Sequence, residues 1–447
     1  MIRRFVRWID DRLGASSFTR SALNKVFPDH WSFMLGEIAM YAFLILVLTG
    51  IFLSFFFDPS SRETVYNGAF APLHGVTMSE AYRSVVELSF DVRAGLVMRQ
   101  IHHWAAIVFI AAITVHLCRV FFTGAFRRPR EINWVIGITL LVLAMFNGFT
   151  GYSLPDDLLS GTGLRIAYSI ALSIPVVGTW IAFLVFGGEF PADQIIGRLE
   201  IIHIMLIPGI IFALLGAHLA IVWRQKHTQF PGPGRTETNV VGSKLYPTYM
   251  AKSLGLFAAV FAVLALLGGF AQINPVWLYG PFEPASVASP AQPDWWLGWV
   301  EGALRVFPPW EVRLWGFEIP NPFFPAVLLP GVTFLLLYLW PWIERRRTKD
   351  EAAHELLDRP RDRPVRTALG AVTLAFYGVL FFAASNDLIA KTFAVSVTKI
   401  TWAFRIALIV VPTVIGWFTY RLCKATTRTE AEDVFHVPLK AVLEKPR

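Results

Sequence analysis

The sequence has 447 residues, of which 55% are hydrophobic and only 16% charged. That balance describes a chain that crosses a membrane many times and excludes a soluble globular enzyme. The formal net charge of +8 does not point to nucleic acid, because 29 of the 40 Lys and Arg residues fall in residues 1–32, 119–131, 224–252, 344–366 and 421–447, the alternate connections of a polytopic chain, where cations report orientation and contact with anionic lipid.

Apolar runs of spanning length lie at residues 33–57, 98–122, 134–152, 199–223, 254–273, 323–342, 367–384 and 402–420. The expected fold class is therefore an all-α membrane protein with eight transmembrane helices and both termini cytoplasmic. Ahead of them, Phe5, Trp8 and Ile9 interleave with arginines, which predicts a surface amphipathic helix and not a cleavable signal. The two cysteines, Cys118 and Cys423, both fall near the inner face, and neither a disulfide nor a thiolate metal site is expected.

The first span carries Gly36 and Gly50, 14 residues apart. The polar residues 58–97 that follow should lie on the outer face. The second span holds His102, His103 and His116, and an intramembrane histidine is costly to keep without a partner. Residues 102 and 116 are 14 apart, which at about 100° per residue places two imidazoles on one face, about 21 Å apart along the helix. His103 points about 100° away from that face and reads as a helix-end polar contact. Arg99 and Arg119 each lie three residues from one of these histidines, about one turn, and suit carboxylates such as heme propionates, although arginines at headgroup level give the same pattern. The third span repeats the glycine interval with Gly137 and Gly151. Small residues let helices approach, and recurrence of the histidine interval on both flanking spans suggests clearance for the edge of a flat macrocycle. The fourth span holds His203 and His218, 15 apart. Paired histidines on two helices point to a four-helix bundle with two b-type hemes, each between imidazoles.

After Gly151-Tyr152-Ser153-Leu154-Pro155, residues 156–188 are broken by Gly161, Gly163, Pro175 and Gly178, which predicts a hairpin of interfacial helices. The fourth span ends in Arg224, Lys226 and His227 and a Pro/Gly-rich stretch, an inner loop whose mobile cations either meet a reducible headgroup or are simply solvated. Beyond the fifth span, Pro293-Asp294-Trp295-Trp296 sets an acid among indoles at the outer face, either a proton acceptor tuned by partial burial or a solvated Asp in an aromatic belt. The charged residues 344–366 read as solvated, and the last two spans as scaffold. The domain division is then 1–32, an N-terminal cytoplasmic segment; 33–225, the di-heme bundle with its outer hairpin at 156–188; 226–253, a cytoplasmic loop; 254–422, a C-terminal four-helix region with the motif at 293–296; and 423–447, a cytoplasmic tail.

These residues together resemble cytochrome b of the respiratory quinol–cytochrome c reductase (cytochrome bc) complexes, over about residues 30–420. The likeness rests on both histidine pairs, the four glycines, Arg99, Arg119, residues 151–155, and Pro293-Asp294-Trp295-Trp296 at the place of the family's Pro-Glu-Trp-Tyr. Several stretches, such as residues 30–39 and 89–106, look like the actinobacterial branch. The resemblance implies a menaquinol–cytochrome c reductase working by a Q cycle, with a Rieske iron–sulfur protein, a diheme cytochrome c and in some cases cytochrome c oxidase as partners, in a dimeric complex. It makes His102 and His203 the ligands of the outer, low-potential heme and His116 and His218 those of the inner, high-potential one. It further implies quinol oxidation near Pro293, Asp294, Trp295 and Gly163, with Asp294 as proton acceptor, and an inner quinone site near Arg224, Lys226 and His227. Asp294 and Trp296 depart from the family's Glu and Tyr. Met34 stands where chloroplast-type relatives carry a heme-binding Cys, which argues against a covalent heme. The alternative is a diheme membrane anchor of a dehydrogenase or hydrogenase, which would need neither hairpin nor motif; a heme-free transporter would leave the matched intervals unexplained.

Overall fold

Among the described residues of the computed structural model, eight helices are long and apolar enough to cross a membrane: Trp31–Ser54, Gly95–Thr123, Glu131–Tyr152, Ile195–Gln225, Leu245–Phe270, Phe324–Thr348, Pro364–Ala383 and Val397–Thr427. The structure describes residues 1–286, 292–314 and 316–435, with the side chains of residues 2, 3, 314, 317 and 428–435 left out. Part of the expected tail, residues 436–447, lies outside the described residues. We call outer the end of the bundle that carries residues 102 and 203, following the distribution of basic residues.

Two short helices, α1 (Ile2–Leu13) and α2 (Ala15–Leu23), meet at Gly14, whose φ of 57° no Cβ-bearing residue adopts cheaply. Phe5 and Trp8 on α1 are exposed, as a helix lying on an interface requires. The first span continues as α3 (Leu35–Ser54). Residues 58–97, expected only to cover the outer face, fold on themselves: Glu63–Val65 pairs antiparallel with Thr77–Ser79, and α4 (Glu80–Phe90) closes a small core of Tyr66, Met78, Tyr82, Val85 and Val86. Spans two and three are α5 (Gly95–Thr123) and α6 (Glu131–Tyr152). The expected hairpin is present as α7 (Leu158–Leu172) and α8 (Gly178–Phe186).

The fourth span joins α9 (Ile195–Ile201) to α10 (Ile207–Gln225) through a π turn, Ile202–Leu206. Pro208 lacks an N–H for the regular ladder, and the widened turn before it absorbs one residue. This accounts for the interval of 15 between His203 and His218 where the second span uses 14: both pairs share a face at nearly the same rise.

The fifth span, α11 (Met250–Phe270) with its entry from Leu245, begins nine residues earlier than residue 254 and stops before residue 273. Polar residues did not end it, because Lys252 pairs with Asp29 and Ser253 bonds Glu37. Short helices α12 (Val276–Tyr279) and α13 (Gly298–Val306) build the outer face, and α14 (Leu329–Thr348), α15 (Pro364–Ala383), α16 (Asn386–Thr392) and α17 (Val397–Phe435) complete the C-terminal region.

Two connections expected to be solvated or mobile are packed. Arg366, with its side chain 3% exposed, bridges Glu344 and Asp358, while Arg130 bonds Glu355. Gln229 is 1% exposed and ties Asn239 and Val241 to the loop after α10. The charges pair with one another across the inner ends of the helices, which a linear reading of charged residues cannot distinguish from hydration.

α3 packs along α5 and α6 along α10, with α11 laid against α3 and α5. Between the histidine levels the four spans are filled by Ala39, Ala42, Phe43, Phe109, Ile110, Leu140, Leu141, Ala144, Ile207 and Ile211. This apolar layer separates two polar levels, and those levels form the candidate site.

Candidate functional site

At the outer level the rings of His102 and His203 approach to 6.2 Å between centroids. Two imidazoles bound to opposite sides of one metal through bonds of about 2 Å have about this separation. Their tautomers follow from the hydrogen bonds. His203 Nδ1 lies 2.9 Å from the Asn147 carbonyl; a carbonyl only accepts, so Nδ1 carries the proton and Nε2 keeps its lone pair. His102 Nδ1 lies 2.9 Å from Thr49 Oγ1, and that hydroxyl sits 2.7 Å from the Ile45 carbonyl. The hydroxyl therefore donates to its own helix and accepts from Nδ1–H, again leaving Nε2 free. Thr150 repeats the arrangement, 2.8 Å from the Asn147 carbonyl and 3.2 Å from His203 Nδ1. Both nitrogens are prepared as metal ligands, each oriented by a second group.

At the inner level His116 and His218 lie within electrostatic reach of each other. Their Nδ1 atoms are buried without a hydrogen-bond partner, although the Asn133 carbonyl lies close to His218.

All four glycines face these imidazoles. A Cβ on Gly151 would stand 2.3 Å from His203 Cε1, on Gly50 3.3 Å from His102, on Gly36 3.3 Å from His116, and on Gly137 3.8 Å from His218. The nearest protein group each glycine clears is thus the histidine ring, which leaves a flat face beside each imidazole free of side chain. The arginines lie at the two levels as their spacing suggests. Arg99 donates to the Asn274 carbonyl at 3.0 Å but leaves Nε unpartnered, and Arg119, 4.3 Å above the Phe33 ring, buries Nε and Nη2 without partners. Bare imidazole nitrogens, glycine cradles and orphaned guanidinium donors together fit a flat metal macrocycle bearing carboxylates. Among the described residues no three His, Cys, Asp or Glu side chains cluster as a metal site, and both cysteines are free.

Next to the outer pair, His103 Nε2 lies 3.0 Å from Asp294 Oδ1, with both side chains largely buried. His103 is thus more than a helix-end contact: it faces the acid of Pro293-Asp294-Trp295-Trp296. Trp296 is 3% exposed and packs against Gly148, its Nε1 unpartnered. Gly163 on α7 faces Tyr152, where a Cβ would meet the ring at 3.1 Å. Asp157 caps α7, accepting from Ser160 N at 2.7 Å, and burial pushes its carboxyl up to about 6.

At the inner end, the His227 ring lies 4.9 Å from Phe27, which also stacks on Tyr249 at 4.4 Å. Burial, with Lys25, Arg119 and Arg130 nearby, holds the His227 imidazole down to about 4, so it is neutral at pH 7 with a buried, unpartnered Nδ1. Lys226 is exposed and reaches the Thr238 carbonyl at 3.4 Å, and Arg224 is also exposed. Of the three inner residues expected from sequence, only His227 faces the aromatic interior.

Thr49, Thr150 and Asn147 escaped the sequence reading. A Thr directly precedes two of the four glycines that repeat the histidine interval, at 49–50 and 150–151, and that placement is the signal that marks the two threonines.

A multi-pass helical membrane protein that buries paired, ligand-ready imidazoles at two levels of one bundle is a membrane electron carrier in form. The family model described as Cytochrome b(N-terminal)/b6/petB matches residues 107–281. The cytochrome bc1 complex cytochrome b subunit of Mycobacterium bovis is 55% identical over 429 residues, 96% of this chain and 78% of that one. Its counterparts in Corynebacterium diphtheriae (52%, covering 96% and 79%) and Streptomyces coelicolor (50%, covering 97% and 79%) are similar. A solved hyperthermophilic respiratory Complex III has the same fold, with a TM-score of 0.66 at 22% identity over 93% of this chain and 99% of that one. The chain belongs to the family of cytochrome b subunits of cytochrome bc1 complexes. It is a membrane subunit of a respiratory oxidoreductase complex, in a family whose cofactor is heme.

Proposed function

We propose that the chain is the cytochrome b subunit of a menaquinol–cytochrome c reductase in a bacterial plasma membrane, with both termini cytoplasmic. In this reading His102 and His203 hold one b-type heme at the outer level, and His116 and His218 hold a second at the inner level. When bound, these groups supply one-electron transfer between the two membrane faces. Arg99 and Arg119 receive the carboxylates, and Thr49, Thr150 and the Asn147 carbonyl keep the outer ligands in the binding tautomer.

Quinol binds at the outer end between the hairpin around Gly163 and Pro293-Asp294-Trp295-Trp296. Asp294 accepts a quinol proton and is oriented by His103. One electron leaves to a Rieske iron–sulfur protein and on to a diheme cytochrome c; the other crosses the bundle to quinone at the inner end, near His227, with Lys226 and Arg224 contributing positive potential at the mouth. The subunit is expected to work in a dimeric complex that associates with cytochrome c oxidase.

The arrangement of the outer histidines, with Nδ1 occupied and Nε2 free, carries the proposal. Its test is a redox titration of the heme spectrum in complex purified from native membranes, beside His102→Ala and His218→Ala variants. Two b-type components are expected, one lost with each substitution. A protein that is folded and free of heme would overturn the reading.

A further inference from the structure

The inner end of the bundle contains a carboxylate that plays no part in ligation. Glu37, in the first turn of α3, receives Tyr249 on Oε1 and Ser253 on Oε2 at 2.6 Å. Tyr41, one turn further along α3, lies 3.4 Å from Glu37 Oε2 and 2.5 Å from Ser253. Three hydroxyls from two helices thus converge on one acid inside a spanning segment. Such an acid is costly there and marks proton traffic more often than packing.

The placement has two ends. Toward the interior, the Tyr249 ring stacks on Phe27, whose other contacts are His227 and Trp223, so the phenol belongs to the aromatic lining shared with the neutral His227. Toward solvent, Asp29 pairs with Lys252 at 2.6 Å and accepts from Ser243 at 2.6 Å, both partners partly exposed. Asp29 also lies within electrostatic reach of Tyr249. The surrounding groups are Arg119 from α5, above Phe33; His30 before α3, beside Phe230; and Lys25, which reaches the Trp223 carbonyl at the end of α10.

We propose that Glu37, acting through Tyr249, is the proton-delivery station of the inner quinone site, an inference that rests on the inner-site reading above. Reduction of a quinone takes two electrons and two protons and forms two O–H bonds. When Glu37 is protonated its carboxyl donates to the Tyr249 oxygen and the phenol O–H turns to a quinone oxygen; for each electron arriving through the bundle, that Tyr249 O–H bond breaks toward the quinone while the Glu37 carboxyl O–H passes its proton to the phenolic oxygen. Glu37 is left as carboxylate and is reprotonated from the inner aqueous phase past Ser253, Lys252 and Asp29 before the second electron arrives.

The test uses the whole complex purified with Glu37→Gln, Glu37→Asp and Tyr249→Phe. The hemes are reduced chemically and mixed with a short-chain quinone, and reoxidation is followed optically from pH 6 to 9, with heme content and thermal melting as controls. Glu37→Gln should slow reoxidation at least about tenfold, with a rate that keeps falling as pH rises, while Glu37→Asp restores most of the rate and Tyr249→Phe falls between. Infrared difference spectra on reduction should lose a carboxyl band in Glu37→Gln. An unchanged rate and pH profile in Glu37→Gln overturns the proposal, as does an equal, pH-independent loss in Gln and Asp variants, which would leave only a clamp between α3 and α11. If Glu37→Gln does not accumulate, wild-type kinetics in Tyr249→Phe overturn it. If quinone fails to reoxidise the wild-type hemes, the inner-site reading itself falls.

Discussion

The two histidine levels are built from the same parts and finished differently. At the outer level His102 and His203 each have a partner on Nδ1 and the glycine opposite His203 is in the closest contact of the four; at the inner level His116 Nδ1 is orphaned, His218 Nδ1 has only the nearby Asn133 carbonyl outside hydrogen-bond geometry, and Gly137 has ordinary clearance. A ligand whose distal N–H is held by an acceptor is a stronger electron donor, which favours the oxidised metal. If each level holds a heme as proposed, the contrast predicts a lower potential at the outer level than at the inner one, the direction that lets electrons cross inward.

The comparison can be broken most sharply with methyl groups. Gly151→Ala places a Cβ 2.3 Å from His203 Cε1, too close for either helix to absorb without shifting, whereas Gly137→Ala adds a contact of 3.8 Å. We expect Gly151→Ala to lose the outer b component from the spectrum and Gly137→Ala to retain both. Loss of the inner component in Gly137→Ala alone would reverse the ranking of the two levels.

A change of chemistry tests the division of labour between the faces. Asp294→Asn should slow quinol oxidation by about 10²–10⁴-fold, the range ascribed to a positioned general base, while quinone still reoxidises prereduced hemes at the wild-type rate. Equal slowing of both reactions would mean that the substitution acts on the shared bundle and not on the outer proton acceptor.

Smaller effects sharpen the electronic contrast. Thr49→Val removes the hydroxyl that holds His102 Nδ1 and should raise the outer midpoint potential by about 20–60 mV, the equivalent of one hydrogen bond in a one-electron couple. Thr150→Val should shift it less, since His203 keeps the Asn147 carbonyl. Neither should move the inner component in the same redox titration.

The smallest expected effects are in pH, with opposite signs at the two faces. Asp157 is pushed up to about 6 from 3.8, so its contribution to stability is fully present below 3.8 and lost as pH rises through 6. His227 is held down to about 4 from 6.5, so its contribution is present above 6.5 and lost as pH falls through 4. Hydrogen exchange should accordingly show the start of α7 more protected at pH 5 than at pH 8 and residues 226–230 less protected, with Asp157→Asn flattening the first trend.

Much of this molecule was legible as one-dimensional pattern. Membrane crossing is a matter of continuous apolar length, and the shared face of His102 and His116 is a matter of helical period; both are local and survive without knowing any neighbour. The family likeness rested on the same local signals, and the four glycines were legible as a set because they repeat the histidine interval. Which imidazole stands opposite each glycine was not, since that pairing depends on how the four spans pack.

The rest was decided by contacts between residues far apart in the chain. His103 and Asp294 are 191 positions apart and Glu37 and Ser253 are 216 apart, so no window of sequence could pair them. The same holds for the inner connections, where Arg366 and Arg130 read as solvated charges until Glu344, Asp358 and Glu355 were brought beside them. Hydrophobic length and period set where the helices run. Which polar groups those helices bring within 3 Å depends on how they pack, and packing sets the tautomers, the orphaned donors and the proton partners.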